Sequence, residues 1–160
     1  IEVREPVPAA ERAGNFLARS RSLLAAQGFV VATVDAPSDS ADGMVENFRV
    51  SSTHAGDIGK VAAWLKERHS LPVWLVGTSR GTLSAANGAL RLGKEIDGLV
   101  LTSSVTRTSK NGPHSLLSSN CSRGWLNFGS DQERTGISRG SGPWGREVNF
   151  TPTFSASLYI

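Results

Sequence analysis

The sequence is poor in the residues and segments that build metal centres, disulfide frameworks and membrane spans. It has a single cysteine, Cys121, which excludes an internal disulfide and a zinc site made of cysteines. No two of the three histidines have metal-ligand spacing. No run approaches the roughly 18 apolar residues of a membrane span, and residues 1–6 lack the apolar segment of a signal peptide. We therefore expect a soluble protein without a metal or a membrane partner, cytoplasmic rather than exported.

The sequence also carries little net charge. Lysine and arginine number 17 and aspartate and glutamate 14, so the formal net charge is only +3. No basic patch with interleaved aromatic residues accompanies this charge, which excludes nucleic acid as a predicted partner. With 39% hydrophobic residues the chain can bury a core. It has no initiator methionine, and we expect it to be processed, trimmed or a piece of a longer protein.

The composition changes after residue 117. Residues 1–117 hold fifteen alanines and residues 118–160 only one, whereas the latter hold eight serines, six glycines and five leucine, isoleucine or valine residues. We therefore predict a folded core over 1–117 and an irregular tail over 118–160, of which only 153–160 resembles a strand. Removal of this tail is predicted to change the stability of the core very little, because serine and glycine do not offset their ordering entropy.

The core alternates helix-like and strand-like segments. The pattern predicts helices over 15–27, 54–69 and 80–92, strands over 29–34, 73–76 and 99–102, and a loop over 36–53. Ser52 or Thr53 is the predicted cap of the second helix. Such alternation is typical of right-handed βαβ units. The predicted fold class is α/β, with a partial doubly wound parallel sheet of three strands.

A G-x-S-x-G motif, Gly77-Thr78-Ser79-Arg80-Gly81, lies where a predicted buried strand turns into a predicted helix. This is the setting of a nucleophile elbow, in which flanking glycines avoid a clash between strand and helix and the helix N-terminus favours an oxyanion. A glycine-rich turn that only packs is the alternative. A phosphate-binding turn is disfavoured, because the sequence has neither G-x-G-x-x-G nor G-K-[ST] here.

With this motif the sequence resembles the α/β-hydrolases, in particular small bacterial serine hydrolases of undefined substrate. The resemblance covers residues 14–117 and rests on four segments: 34–39 (VDAPSD), 54–58 (HAGDI), 74–82 (WLVGTSRGT) and 99–104 (LVLTSS). It implies that Ser79 is the nucleophile and that the backbone N–H of Arg80 is an oxyanion donor. It further implies acyl transfer to water from a small ester-like substrate, through an acyl-serine intermediate and without a cofactor.

The resemblance also implies parts that the sequence does not supply. Such enzymes have a further strand, between those predicted at 29–34 and 73–76, and a glycine loop that gives a second oxyanion donor. The chain as given begins too late to hold them. The catalytic acid and histidine follow the third strand in the family, yet residues 118–160 contain no histidine. We therefore expect an incomplete form with weak or no activity, and an end that is not family-like.

The remaining candidate residues are histidines and aspartates. His114 follows Ser79 in the chain, as the family's order requires of a base, whereas His54 precedes it and is out of order. Asp35 and Asp39 flank a proline turn at the carboxyl end of a predicted strand. Parallel strands present their carboxyl ends to ligands, so these carboxylates either bind substrate or cap the loop as Asx turns.

A function of another class stays open beside the hydrolase. A non-catalytic α/β remnant with a free edge of hydrophobic strands favours self-association or the binding of a partner through that edge.

Overall fold

The computed structural model describes residues 16–40 and 43–105, together with the segments 125–128, 137–139 and 156–159. The helices are α1 (Phe16–Ala26), α2 (Glu46–Arg49), α3 (Ser52–His69) and α4 (Gly81–Leu92), and the strands are β1 (Val30–Thr33), β2 (Val73–Thr78), β3 (Gly98–Thr102), β4 (Trp125–Phe128), β5 (Ile137–Arg139) and β6 (Ala156–Tyr159). Short 3-10 turns occupy Ser38–Ser40 and Gly93–Glu95. Within the described residues no helix combines the length and the hydropathy that a membrane span requires.

The strands form one sheet in the order β1-β6-β2-β3-β4-β5. All neighbouring pairs are parallel except β4 and β5, which are antiparallel. The centre of the sheet is the β2–β3 pair, where Leu75 lies opposite Leu99 and Gly77 opposite Leu101. Helices alternating with a largely parallel sheet confirm the α/β class predicted from the sequence.

Helices cover both faces of this sheet. Leu75 and Val76 are successive residues of β2 and so point to opposite faces. Leu75 belongs to a core cluster with Ile58 of α3 and Ala85 of α4, whereas Val76 belongs to a second cluster with Leu17 of α1. The first cluster is the larger one, and its leucines and isoleucines are almost inaccessible to solvent.

The sheet corrects the predicted count of three strands. Because the sequence supplies no intervening strand before them, it predicts that the first two strands pair directly or leave a gap. Instead β6, from the chain's end, lies between them: Ala156 pairs with Val30 of β1 on one side and with Val73 of β2 on the other. The prediction of an irregular tail is therefore wrong for β4 and β5, whereas β6 lies within 153–160, the part of the tail that resembles a strand. The boundary after residue 117 stays a prediction, because residues 106–124 lie outside the described ranges.

A second correction concerns the segment 36–53, which the sequence predicts to be a loop. Besides the turn at Ser38–Ser40 it contains α2, a single helical turn that carries Arg49 at its end. The next helix, α3, is capped by Ser51 rather than by Ser52 or Thr53: the Ser51 hydroxyl accepts a hydrogen bond from the His54 N–H at 3.1 Å.

Candidate functional site

Ser79 occupies the turn between β2 and α4. Its φ is +50°, a left-handed conformation that costs a non-glycine residue of order 1–2 kcal/mol, and the residue is exposed to solvent. A serine held in this conformation at a strand–helix junction is a local strain that the surrounding structure must stabilise. The described geometry agrees with the turn that the G-x-S-x-G pattern predicts.

Gly77 shows why the motif needs a glycine before the serine. A Cβ built on Gly77 would lie 2.6 Å from the carbonyl oxygen of Gly81 and 2.9 Å from the Cβ of Ala85. The nearest of these atoms is backbone, so it cannot rotate away. The start of α4 therefore packs directly on the end of β2, and this close approach forces the sharp turn that presents Ser79.

Hydrogen bonds fix the backbone of Ser79 on both sides. Its N–H donates to the carbonyl oxygen of Thr102 on β3, at 3.2 Å. Its own carbonyl oxygen accepts from the Thr82 hydroxyl at 2.6 Å, and that hydroxyl in turn accepts from the Val105 N–H at 3.4 Å. None of these bonds uses the Ser79 hydroxyl. The backbone is thus held while Oγ is left at the surface.

Arg80 is the N-cap residue of α4 and is exposed. Its side chain makes no capping hydrogen bond, and among the described residues none accepts from its backbone N–H. With 12 residues α4 is long enough for its N-terminus to carry a substantial partial positive charge. The position next to Ser79 suits the oxyanion role that the resemblance implies for this N–H.

Arg49, which the sequence did not single out, lies beside the first turn of α4. Its Nη1 donates to the Ser84 hydroxyl at 3.2 Å. Its Nε is buried and has no hydrogen-bond partner in the part of the chain that the structure describes. Burial lowers the pKa of Arg49, and the positive charge of Arg80 lowers it further. The two guanidinium groups are therefore close enough to repel one another.

Asn87 holds Arg49 in this place. Its side chain is almost fully buried, with 1% exposure. The amide Nδ2 donates to the carbonyl oxygens of Arg49 at 3.2 Å and Ser51 at 2.8 Å, and Oδ1 accepts from Arg91 Nε at 2.8 Å. The link between α2 and α3 is thereby tied to the middle of α4. A polar side chain within a helix rich in alanine was the sequence signal for this contact.

His54 is enclosed in the protein rather than presented to solvent. Its exposure is 1%, and neither ring nitrogen has a hydrogen-bond partner among the described residues. The ring lies 5.0 Å from that of Phe48, centroid to centroid. Burial lowers the pKa of His54, the charge of Arg49 lowers it further, and Asp57 opposes the shift. Burial therefore favours the neutral form of the His54 imidazole, and no described hydrogen bond joins it to Ser79.

The two candidate binding carboxylates follow β1 and are both exposed. Asp35 Oδ1 accepts from the Ala36 N–H at 2.9 Å, and Asp39 Oδ1 accepts from the Ser40 hydroxyl at 3.4 Å. These local bonds are those of loop-capping residues, and none of them leads to Ser79. A binding role for Asp35 and Asp39 stays a prediction. The candidate base His114 lies outside the described residues.

In comparisons with family models, curated proteins and solved structures, nothing matches this chain. Within the described ranges no three histidine, cysteine or carboxylate side chains cluster as metal ligands would.

Proposed function

We propose that the protein is a serine hydrolase of α/β-hydrolase type in which Ser79 is the nucleophile. One observation carries the proposal: an exposed serine with φ +50° on a strand–helix turn where the preceding Gly77 has no room for a Cβ. Two other exposed serines, Ser70 and Ser103, also have a positive φ, but neither has a glycine two residues before it. Strain of this kind is concentrated at functional sites.

The proposed reaction is acyl transfer to water. Ser79 Oγ forms a bond to the carbonyl carbon of a small ester-like substrate, and the carbonyl oxygen becomes an oxyanion. The Arg80 N–H and the N-terminus of α4 stabilise that charge. The C–O bond to the alcohol then breaks, the alcohol leaves with a proton, and water hydrolyses the acyl-serine. His114 stays the candidate for the base that accepts the Ser79 proton.

An alternative is a module that binds partners, or a second copy of itself, through a sheet edge. β1 is the outermost strand of the sheet and has β6 as its one described neighbour. An outer strand presents unpaired N–H and C=O groups to which another strand can add. This alternative requires no reactive serine, which is the property that separates it from the hydrolase.

Labelling with a neutral fluorophosphonate tests the proposal, because this reagent phosphonylates activated serines. Intact mass and peptide mapping should show a single adduct on Ser79. Neither ring nitrogen of the buried His54 bonds the Ser79 hydroxyl, and a serine without an adjacent base is a weak nucleophile. We therefore expect slow labelling and ester turnover well below about 1 s⁻¹, the low end of the usual enzyme range.

Two substitutions control the labelling. Ser79→Gly removes the hydroxyl and tolerates the positive φ, so it should abolish the adduct without straining the turn. Ser103→Ala is the matched control, because Ser103 is also exposed and also has a positive φ, of +47°. The hydrolase proposal fails if Ser79→Gly is labelled as fast as the parent chain, or if Ser103 takes the label instead.

A further inference from the structure

The first turn of α4 brings two arginines to one face of the helix. Arg80 has helical dihedral angles, φ −61° and ψ −24°, so the helical geometry already holds at this residue. Ser84 follows it by four residues and therefore lies on the same face, one turn further along. Arg49 Nη1 donates to the Ser84 hydroxyl at 3.2 Å. The Arg49 guanidinium is thus fixed beside the buried Ser84, about one helical turn, ~5 Å along the axis, from the backbone of Arg80.

Among the residues that the structure describes, these two cations have no acceptor that matches their charge. Arg49 Nε is buried without a partner in the described residues, and its bond to Ser84 goes to a neutral hydroxyl. The described ion pairs join Lys60 to Asp57 and Lys66 to Asp97, so neither arginine takes part in them. A half-buried guanidinium with an unused donor beside a second positive charge is unfavourable by itself. Nε itself is closed to solvent, but Arg49 as a whole is only partly buried, so an oxyanion between the two groups would reach the rest of its guanidinium and offset the repulsion.

Contacts within the protein fix the position of Arg49 without any ligand. Asn87 ties the Arg49 carbonyl to α4, and Ser84 receives the end of the side chain. If Arg49 only held α2 against α4, one neutral hydrogen bond would be enough, and a lysine or a glutamine would supply it as well. The planar fork of arginine is the group that matches carboxylate and phosphate oxygens in pairs.

We infer that Arg49 and Arg80 form a binding site for an oxyanion, a carboxylate or a phosphate, and that the substrate of Ser79 is an ester that carries such a group. The second half of this inference rests on the proposed function, whereas the first half does not. Because Arg80 directly follows Ser79, the anionic group must lie a few carbon atoms from the ester carbonyl. A short dicarboxylic acid monoester and a small phosphate-bearing ester both have this form.

The binding site is tested without any reaction. The full chain, labelled with ¹⁵N, is titrated with glutarate, with inorganic phosphate and with glutaramide, the neutral match of glutarate, while the Arg49 Nε–Hε signal is followed by NMR. We expect a saturable shift with at least one anion and none with glutaramide. A response to glutarate alone assigns a carboxylate, and a response to phosphate alone assigns a phosphate. The inference is overturned if neither anion shifts the signal, or if glutaramide shifts it equally.

Three substitutions locate the binding. Arg49→Met and Arg80→Met should each weaken anion affinity about tenfold or more, as expected for a lost charge-assisted hydrogen bond. Arg80 is exposed, so its variant keeps the test decisive if Arg49→Met does not fold. Arg19→Met on α1 removes the same charge from an exposed site and should leave the affinity unchanged. Equal weakening by Arg19→Met would show non-specific attraction and overturn the assignment.

A second fluorophosphonate, with a short carboxylate-terminated chain, connects the site to Ser79. It should label Ser79 at least tenfold faster than the neutral reagent of equal length, and Arg49→Met should remove this preference. Anion binding without labelling of Ser79 would refute the hydrolase and leave the arginine site standing. If both reagents label Ser79 at the same rate and no anion binds, the arginine site is refuted and the hydrolase proposal stands.

Discussion

The turn from β2 into α4 and the strand β6 lie side by side in the structure, yet the sequence determines them in opposite ways. β2 is a largely apolar run of six residues, and its fifth residue is a glycine at the point where packing against α4 excludes a Cβ. β6 is only Ala-Ser-Leu-Tyr, in a region poor in apolar residues, and still lies between β1 and β2. A local pattern thus encodes the kind of element and its special turns. The place of a strand in the sheet is decided by distant pairing.

The largest effect should come from breaking β6. Both neighbours of β6 are parallel strands, so each of its backbone N–H groups faces one of them. Leu158→Pro removes one such donor in the interior of the sheet, and we expect the free energy of unfolding to fall by about 3 kcal/mol or more. Urea titration followed by circular dichroism measures the loss.

Leu158→Ala is the control for this prediction, since it shortens the side chain and keeps the N–H. It should cost clearly less than the proline variant. A loss below about 0.5 kcal/mol for Leu158→Pro, the range of ordinary surface substitutions, would contradict the position of β6 between β1 and β2. The position of β6 also reverses our sequence-based expectation that the tail is dispensable: deletion of 118–160 should now destabilise the rest of the chain.

The turn region is tested by Gly77→Ala. The added Cβ would meet the Gly81 oxygen at 2.6 Å and Ala85 at 2.9 Å, so the start of α4 must shift. We expect a loss of about 2–3 kcal/mol in unfolding free energy, at the upper end for overpacking, and loss of fluorophosphonate labelling at Ser79. Gly56→Ala on α3 is the matched control, because nothing lies within 4 Å of the position that its Cβ would take. It should stabilise the protein by up to about 1 kcal/mol. Equal effects of the two substitutions would contradict the tight-turn geometry.

Sequence patterns were sufficient for the elements whose own residues carry the signal. The three long helices and the first three strands lie within about two residues of their predicted limits, and Ser79 lies on the predicted turn. The α2 turn was missed because four residues, Glu-Asn-Phe-Arg, are too few to show a helical period. Arg49 was missed with this turn, because its position depends on contacts with Ser84 and Asn87, which lie 35 and 38 residues later in the chain. The strands β4 and β5 were missed, and the place of β6 between β1 and β2 was not predicted, because pairing with distant strands and not local composition decides both.

His54 was predicted in part: the sequence predicts its place on α3 but not its burial. Burial holds its folded-state pKa below the ordinary value of 6.5. The unfolded chain therefore binds a proton as the pH falls through about 6.5, while the folded chain binds it only at lower pH. Unfolding free energy should be unaffected by this group above that pH and should fall below it, by at most about 1.4 kcal/mol per pH unit.

His54→Leu, of similar volume, should remove this acid-side slope in urea titrations between pH 7 and pH 5. His69→Leu, at the other end of α3, keeps His54 and should keep the slope. Persistence of the full slope in His54→Leu would show that another group causes it.

The smallest effect concerns one hydrogen bond at the start of α3. The sequence offers three adjacent hydroxyl residues, Ser51, Ser52 and Thr53, and pattern alone favours the last two as the cap. In the structure Ser51 has extended dihedral angles, φ −76° and ψ 159°, and accepts from the His54 N–H, whereas Ser52 is already the first helical residue. Ser51→Ala should therefore cost about 1 kcal/mol of unfolding free energy. Ser52→Ala should be close to neutral, because its exposed side chain accepts none of the described capping bonds and alanine has the higher helix propensity. A thermal or urea scan of the two variants measures the difference. A larger loss for Ser52→Ala than for Ser51→Ala would place the helix start one residue later in the chain, at the position that the sequence pattern favours.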